Sequence, residues 1–238
     1  MKRKIIMGIL MLGVFCSAAC GKESSRDSAV QAEVQDVKEE VKEEKKSNKK
    51  GEISMEALRE HEESPVSDFQ FRLANGNYEI DKYLGKDEIV VVPAEYEGKK
   101  VVGVVSLVFG KDTGVKAVKL SDSVEYLVGS FMENKELEYV ICGSGLKEIR
   151  QLTFSGCSSL KELELNEGLE KIESTTFSGL KSLKELYIPG SVTEFGPGNF
   201  NAMSNQGFVI KGKAGSAAET YVIEEGEPQY GHTFVAVE

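Results

Sequence analysis

Histidine and cysteine are the side chains of this sequence best suited to acid–base, nucleophilic or metal chemistry near neutral pH. The 238 residues include two histidines and four cysteines. His61 lies in a charged stretch and His232 near the C-terminus, and neither has a nucleophile or a metal-ligand pattern beside it. No phosphate-binding loop or nucleophile elbow is present, and Gly196-Pro197-Gly198 is typical of a turn. The sequence therefore predicts a protein that is not an enzyme and that needs no cofactor or metal.

The N-terminus carries a second feature with a chemical consequence. Residues 2–4 are basic, residues 5–15 are apolar, and small residues at 17–19 precede Cys20. The apolar run is shorter than the ~20 residues of a membrane-spanning helix. The segment resembles a bacterial lipoprotein signal peptide (1–19). That resemblance implies an exported protein held at the cell surface by lipid on Cys20; an ordinary signal peptide cut at the same place is the alternative.

The charge balance restricts the possible partners. The formal net charge is −10 at pH 7. Nucleic-acid binding requires clustered Lys and Arg that release counterions from phosphates, and a polybasic membrane patch requires a similar cluster. We therefore expect no nucleic-acid partner, and we expect any membrane contact to occur through the lipid anchor.

A charged segment separates the signal peptide from the rest of the chain. Residues 31–50 are mostly Glu, Lys, Val and Ser, a composition whose few apolar side chains cannot offset the entropy of ordering. We interpret residues 20–66 as a flexible linker, with a helical patch at Ser54–Glu63.

Internal repeats dominate the remaining sequence. Four segments begin at Val115, Leu137, Leu160 and Leu183, which are 22, 23 and 23 residues apart. Besides these starting residues, five further apolar columns coincide. They are Val118, Val140, Leu163 and Leu186; Leu120, Cys142, Leu165 and Ile188; Val124, Leu146, Leu169 and Val192; Leu127, Ile149, Ile172 and Phe195; and Phe131, Phe154, Phe177 and Phe200.

Each segment opens with alternating polar and apolar residues, as in Glu162-Leu163-Glu164-Leu165, which indicates a strand with one buried face. One such unit cannot bury its apolar residues alone, whereas stacked units bury them against each other. The fold class predicted is a repeat solenoid, mainly β, with short parallel strands.

The repeats resemble leucine-rich repeats of the BspA type. The resemblance is carried by the unit Leu160–Ser182, by Phe154–Ser159 and by the ending Gly212–Tyr221. It implies an irregular convex side, a short C-terminal capping helix and a role in adhesion to an extracellular or host macromolecule, chiefly protein.

The predicted leucine-rich-repeat domain covers residues 67–238. It divides into an N-terminal cap at about 67–114, repeats at about 115–206 and a C-terminal cap at about 207–238. In the C-terminal cap, Ser216 suits the start of a helix that we predict from Ala217 to about Glu225, closed by Gly226.

Two cysteines remain in the predicted domain. Cys142 occupies a strand column and Cys157 a turn position of the preceding pattern. An exported compartment permits a disulfide between them. We favour two buried free thiols, because the cysteines stand in different repeat columns.

The outward side of the predicted strands is the best candidate for binding. We define the candidate binding face by eight residues, Lys116, Lys119, Tyr139, Ile141, Glu162, Glu164, Glu185 and Tyr187. Its two tyrosines and its isoleucine favour partner contact because exposed aromatic residues are enriched at interfaces. The alternative is that these are ordinary strand-forming residues.

Three other functions stay open at this point. A solute-binding lipoprotein would require a concave pocket, and an envelope hydrolase would require convergent titratable residues. An envelope scaffold would require self-association.

Overall fold

A computed structural model of the chain describes residues 53–203 and 207–237. The predicted signal peptide, Cys20 and most of the predicted linker lie outside these residues. The lipid anchor therefore stays a prediction.

Short strands and a few helical turns make up the described part of the chain. Its strands, in chain order, are β1 (Phe69–Ala74), β2 (Asn77–Tyr83), β3 (Ile89–Val91), β4 (Glu95–Tyr96), β5 (Lys99–Val105), β6 (Ala117–Lys119), β7 (Tyr126–Val128), β8 (Tyr139–Ile141), β9 (Glu148–Ile149), β10 (Glu162–Glu164), β11 (Lys171–Ile172), β12 (Glu185–Ile188), β13 (Glu194–Phe195), β14 (Val209–Gly212) and β15 (Thr233–Ala236). Its helices are α1 (Met55–Glu60), α2 (Ala217–Tyr221) and α3 (Glu227–Tyr230), with a 3₁₀ turn at Val66–Asp68 and a π-helical turn at Val222–Gly226.

The strands form two opposed walls of a solenoid. On one wall, β3, β6, β8 and β10 make a parallel four-stranded sheet, and β12, β14 and β15 make a parallel three-stranded sheet beyond it. We call the outer surface of these seven strands the strand face. On the other wall, an eight-stranded sheet runs from β1 to β13 and includes β4 at its side. The predicted repeat solenoid with short parallel strands is confirmed.

The repeat columns of the sequence form the core between the two walls. Parallel pairing sets Val118 beside Val140 and Val140 beside Leu163, so equivalent residues of successive coils contact each other. Ile149 and Ile172 pair in the same way on the opposite wall. All five side chains are buried. Each coil buries its apolar side chains by stacking on the adjacent coils, as the 23-residue repeat predicts.

A stack of phenylalanines runs along one corner of the solenoid. The ring centroids of Phe131 and Phe154 are 5.0 Å apart, those of Phe154 and Phe177 are 5.8 Å apart, and those of Phe177 and Phe200 are 5.1 Å apart. All four rings are fully buried. Offset stacking of buried rings contributes roughly 0.5–1.5 kcal/mol per pair beyond area burial, so this column aligns the coils as well as filling the core.

One repeat replaces the buried thiol of its turn by an amide. Asn134 stands where the next coil has Cys157, and it is buried. Its side-chain Nδ2 donates to the carbonyl oxygens of Phe109 and Val115, both at 2.9 Å. Its Oδ1 accepts from the backbone N–H groups of Glu136 and Leu137. A buried amide is tolerated in this column because its polar atoms have partners.

The helical segment of the C-terminal cap is longer than the sequence predicts. We expected a helix closed by Gly226, but that residue is helical, with φ of −64°, and the π-helical turn leads directly into α3. The chain turns at Gly231, whose φ of 69° lies in the left-handed region that glycine adopts without strain. β15 then adds the final strand to the strand face.

At the N-terminal end of the strand face, a residue that is not in a strand forms hydrogen bonds with the edge strand β3. The N–H of Ser64 donates to the carbonyl of Val91 at 3.0 Å, and the Ser64 hydroxyl accepts from the N–H of Val91 at 3.0 Å. The edge of β3 is therefore satisfied at this residue, which protects it from pairing with another strand.

Candidate binding face

Two rows of side chains run along the strand face, because each strand points alternate residues outward. Within each sheet, the pairing registers give the order of the residues in a row. Strand β12 then continues both rows beyond β10. The first row is Ile89, Ala117, Tyr139, Glu162, Glu185, Val209 and Thr233. The second row is Val91, Lys119, Ile141, Glu164, Tyr187, Lys211 and Val235. The structure thus brings the predicted residues onto one surface, with Lys116 one position before β6.

Helix α1 lies across part of this surface. Ser54 caps it, because its Oγ accepts the N–H of Ala57 at 3.2 Å. Met55 and Leu58 are three residues apart, so both point to the same side of the helix. Leu58 is fully buried and Met55 is 7% exposed. The two side chains cluster with Ala117 and Ile141 from β6 and β8, joined by the partly buried Ile53, Ile89 and Tyr139.

Polar contacts hold both sides of α1. The guanidinium of Arg59 forms an ion pair with Glu164 in β10. The ammonium of Lys119 donates to the backbone carbonyl of Arg59 at 3.0 Å. A cation near the C-terminal carbonyls of a helix also interacts favourably with the helix dipole. These contacts use two of the eight predicted binding residues for attachment of the chain's own helix.

The exposure that we expected of Ile141 is wrong. Ile141 is only 7% exposed, because α1 covers it. The physical reason is that removal of apolar side chains from water is favourable. Met55 and Leu58 of α1 supply the apolar surface that covers Ile141. The helical patch expected at Ser54–Glu63 is present as α1, but it packs on the strand face although we placed it within the flexible linker. The spacing of Met55 and Leu58 after a capping serine indicates a helix with one apolar side, but it does not indicate which surface that side contacts.

Ion pairs order the charged residues next to the strands. Lys116 pairs with Glu88 at 2.5 Å. Glu185 pairs with Lys211 in the next strand at 2.6 Å. Both pairs are partly exposed, so solvent and salt screen them and their contribution to stability is small. Glu162 is exposed, and its carboxylate has no ion-pair partner among the described residues.

Tyr187 is the most exposed aromatic residue in the two rows, at 37%. Its hydroxyl donates to Oε1 of Glu167 at 2.9 Å, and this hydrogen bond raises the pKa of Tyr187 and lowers the pKa of Glu167. The same Glu167 oxygen accepts the N–H of Gly190 at 3.3 Å. The ring is therefore held in one position on the surface, and a partner would not have to immobilise it.

The strand face is interrupted between β10 and β12. No ladder joins these two strands, although β11 and β13 pair normally on the opposite wall. Leu163 and Leu165 are 9% and 6% exposed beside the interruption, whereas their neighbours in the preceding coils are almost fully buried. A cavity of about 380 Å³ lies here, between α1 and the side chains of Glu162, Tyr187 and Lys211.

Potential metal ligands and a second cavity were the remaining candidate sites among the described residues. Residues 53–203 and 207–237 contain no group of His, Cys, Asp and Glu that could hold a metal ion. A second cavity, of about 560 Å³, lies beside the C-terminal cap and is lined partly by Phe195, Thr220, Glu224 and Glu225. It lacks a paired nucleophile and base. Within this part of the chain, no helix is both long enough and apolar enough to cross a bilayer.

Both cysteines of the domain are buried free thiols, as we predicted. Burial raises the pKa of Cys142, and burial raises the pKa of Cys157 to about 12. The Sγ of Cys157 also donates to the carbonyl of Phe131 at 3.1 Å. A protonated, buried thiol is a poor nucleophile, so these residues act as small core side chains.

Comparison with known proteins agrees with this geometry. Residues 99–207 match six copies of the family model described as the BspA type leucine rich repeat region. A crystal structure of a leucine rich repeat protein from T. pallidum is 30% identical, with a TM-score of 0.60, over 63% of this chain and 71% of that chain. A leucine-rich repeat protein from Bacteroides ovatus is 25% identical, with a TM-score of 0.47, over 56% of this chain and 37% of that chain.

No curated protein matches the chain. The match to the T. pallidum protein nevertheless covers more than two thirds of that structure. The family model falls on the same coils that the columns, the sheets and the phenylalanine stack define. The chain therefore belongs to the leucine-rich repeat proteins, with repeats of the BspA type.

Proposed function

We propose that this protein is a lipid-anchored cell-surface module that binds an extracellular protein through the uncovered part of its strand face. The observation that carries the proposal is the two-row surface itself, which holds a fixed tyrosine, paired charges and a cavity beside α1. Such a surface suits recognition of a macromolecule, and the described residues form no convergent catalytic set. The wider adhesion role rests on the family to which the repeats belong.

The anchor is the part of the proposal that depends on the N-terminus. Lipid on Cys20 would hold the mature chain at the membrane, because each buried CH₂ contributes ~0.8 kcal/mol and two or more acyl chains bind firmly. Residues 21–52 would then connect the anchor to the domain. Mass spectrometry of the mature protein tests this directly: a diacylated Cys20 at the N-terminus is expected, and an unmodified Cys20 would remove the anchor.

The uncovered surface offers a partner both aromatic and charged contacts. Tyr187 supplies a rigid aromatic side chain, and tyrosine is one of the residue types enriched among residues that dominate binding energy. Glu162 is free to pair with a cation of the partner. The Glu185–Lys211 pair can exchange partners, because both side chains are partly exposed.

Capture of a partner from extracellular material tests this surface. The full chain is displayed on cells, and proteins that bind are cross-linked and quantified. We expect Tyr187→Ala to reduce capture at least about fivefold, since truncation of a central interface aromatic costs more than about 1 kcal/mol. Glu162→Lys should reduce capture by reversing the local charge.

The matched control for this experiment is Ile223→Ala. Ile223 is 63% exposed but belongs to the C-terminal cap and to neither row. We expect this variant to keep full capture. Capture that survives Tyr187→Ala and Glu162→Lys together would place the contact elsewhere on the molecule and overturn the proposal.

A further inference from the structure

The outward side chains of the strand face change character along the solenoid. On β3, β6 and β8 they are mostly apolar, with Ile89, Ala117, Tyr139 and Ile141 in the two rows. On β10 both outward residues are glutamates. Helix α1 lies over the apolar stretch, and its Arg59 forms an ion pair with Glu164 of β10.

The cover that α1 provides is small. The helix has six residues, and isolated helices shorter than ~12–15 residues are marginal in water. Met55 and Leu58 are its buried apolar residues. The Arg59–Glu164 pair is partly exposed on both sides, so solvent and salt screen it. A contact of this size can be replaced by another segment that offers the same groups.

Removal of α1 would leave a defined surface behind. Ala117, Tyr139 and Ile141 would form an apolar patch, bordered by Lys119 on one side and Glu164 on the other. An apolar patch with a polar rim is typical of a protein–protein interaction site. The patch fits α1 in shape and charge. That helix carries two apolar side chains three residues apart, followed directly by a cation.

We propose that residues Ser54–Glu60 are an intramolecular ligand of the strand face, and that an amphipathic helix of a protein partner replaces them. The partner helix carries two large apolar side chains at positions i and i+3 and a cation at i+4. The apolar pair fills the place of Met55 and Leu58, and the cation takes over Glu164. This inference rests on the proposed binding function and names the partner's chemistry for the covered half of the same face.

A peptide supplied in trans tests the proposal without knowledge of the natural partner. The probe is a fluorescent peptide of residues 51–63, and its binding to the full chain is followed by fluorescence anisotropy. In the variant Met55→Ser with Leu58→Ser, the tethered helix loses its buried anchors and frees the patch. We expect this variant to bind the peptide at least about tenfold more tightly than the native chain, because an equal intramolecular competitor is gone.

Controls separate specific docking from general stickiness. A peptide that carries the same two serines should not bind. Ile141→Glu, added to the double variant, should abolish the gain by placing a carboxylate in the patch. Ile223→Ser, which changes an exposed apolar residue elsewhere, should leave peptide binding as weak as in the native chain.

A second readout avoids dependence on one variant. Arg59→Glu keeps both apolar anchors but sets like charges against each other at Glu164, so it should also increase peptide binding; circular dichroism verifies the fold of each variant. Equal peptide affinity of the native chain and of both folded variants would overturn the proposal, because release of α1 would then expose no patch that binds a helix. The capture experiment with Tyr187→Ala tests only the uncovered half of the strand face. Its outcome is therefore independent of the peptide-binding result.

Discussion

At the scale of single residues, His232 is the buried histidine of the described chain. Its Nε2–H donates to the carbonyl of Phe200 at 2.9 Å, while its Nδ1 is buried without a hydrogen-bond partner. Burial lowers the pKa of His232 from the usual value of 6.5. Protonation of Nδ1 is disfavoured in the folded domain, because the described residues place no hydrogen-bond acceptor beside it.

The lowered pKa of His232 predicts a loss of stability on acidification. The unfolded chain binds a proton near pH 6.5, whereas the folded chain binds it only at lower pH, so the stabilisation is present above about 6.5 and is lost as the pH falls. Urea unfolding at pH 7.5 and 5.5 should therefore show a larger drop for the native chain than for His232→Gln. His61→Gln is the control, because His61 is exposed. An equal drop in the native chain and in His232→Gln would show that another group sets the pH dependence.

At the scale of elements, close approach between coils sets the residue choice in the turns after the strands. A Cβ added at Gly143 would lie 2.2 Å from the carbonyl oxygen of Ser121 in the preceding coil. A Cβ added at Gly190 would meet only the flexible Lys213 side chain, at 3.4 Å. Glycine is therefore required at the first turn and replaceable at the second.

Alanine substitution at the two glycines should separate these cases. Gly143→Ala should lower the free energy of unfolding by about 1–3 kcal/mol, since backbone of two coils must move apart. Gly190→Ala should change it by less than about 0.5 kcal/mol. Denaturant titration measures both. Similar small losses for both variants would mean that the coils are less tightly stacked than the structure shows.

The sequence was sufficient for the stacked coils and for a helix within Ser54–Glu63, but not for the docking of that helix on the strand face. Columns such as Phe131, Phe154, Phe177 and Phe200 repeat at a constant spacing, and stacking is the arrangement that buries all of them. The docking of Leu58 depends on contacts with strands about 60 to 80 residues further along the chain, which no local pattern records. Ile141 was misjudged for the same reason, because strand alternation gives its outward direction but not what covers it.

At the scale of the whole molecule, the break between β10 and β12 is the weakest junction of the strand face. In a solenoid each coil is stabilised by its two neighbours, so a missing ladder is not compensated elsewhere on that wall. Backbone N–H groups of Leu120 and Cys142 bond the next coil at 2.9 and 3.0 Å, but no such bond joins Leu165 to Tyr187. The coils stay connected through β11 and β13 on the opposite wall.

Hydrogen exchange should reveal this junction. We expect the amide of Leu165 to exchange at least about tenfold faster than the amide of Cys142, because its N–H has no partner across the break and needs less opening. Amide exchange followed by NMR measures both rates in one sample, with Leu120 as the protected reference. Equal protection of Leu165 and Cys142 would show that the strands close in solution.

The reactivity of the two buried thiols reports when the solenoid opens. Cys142 and Cys157 lie in adjoining parts of one coil, and neither can react with an alkylating reagent while that coil is closed. A molecule alkylated at Cys142 or Cys157 has therefore opened in the middle of the solenoid. At a reagent concentration high enough for alkylation to outpace reclosing, the rate of modification at these two residues measures how often this part of the protein opens.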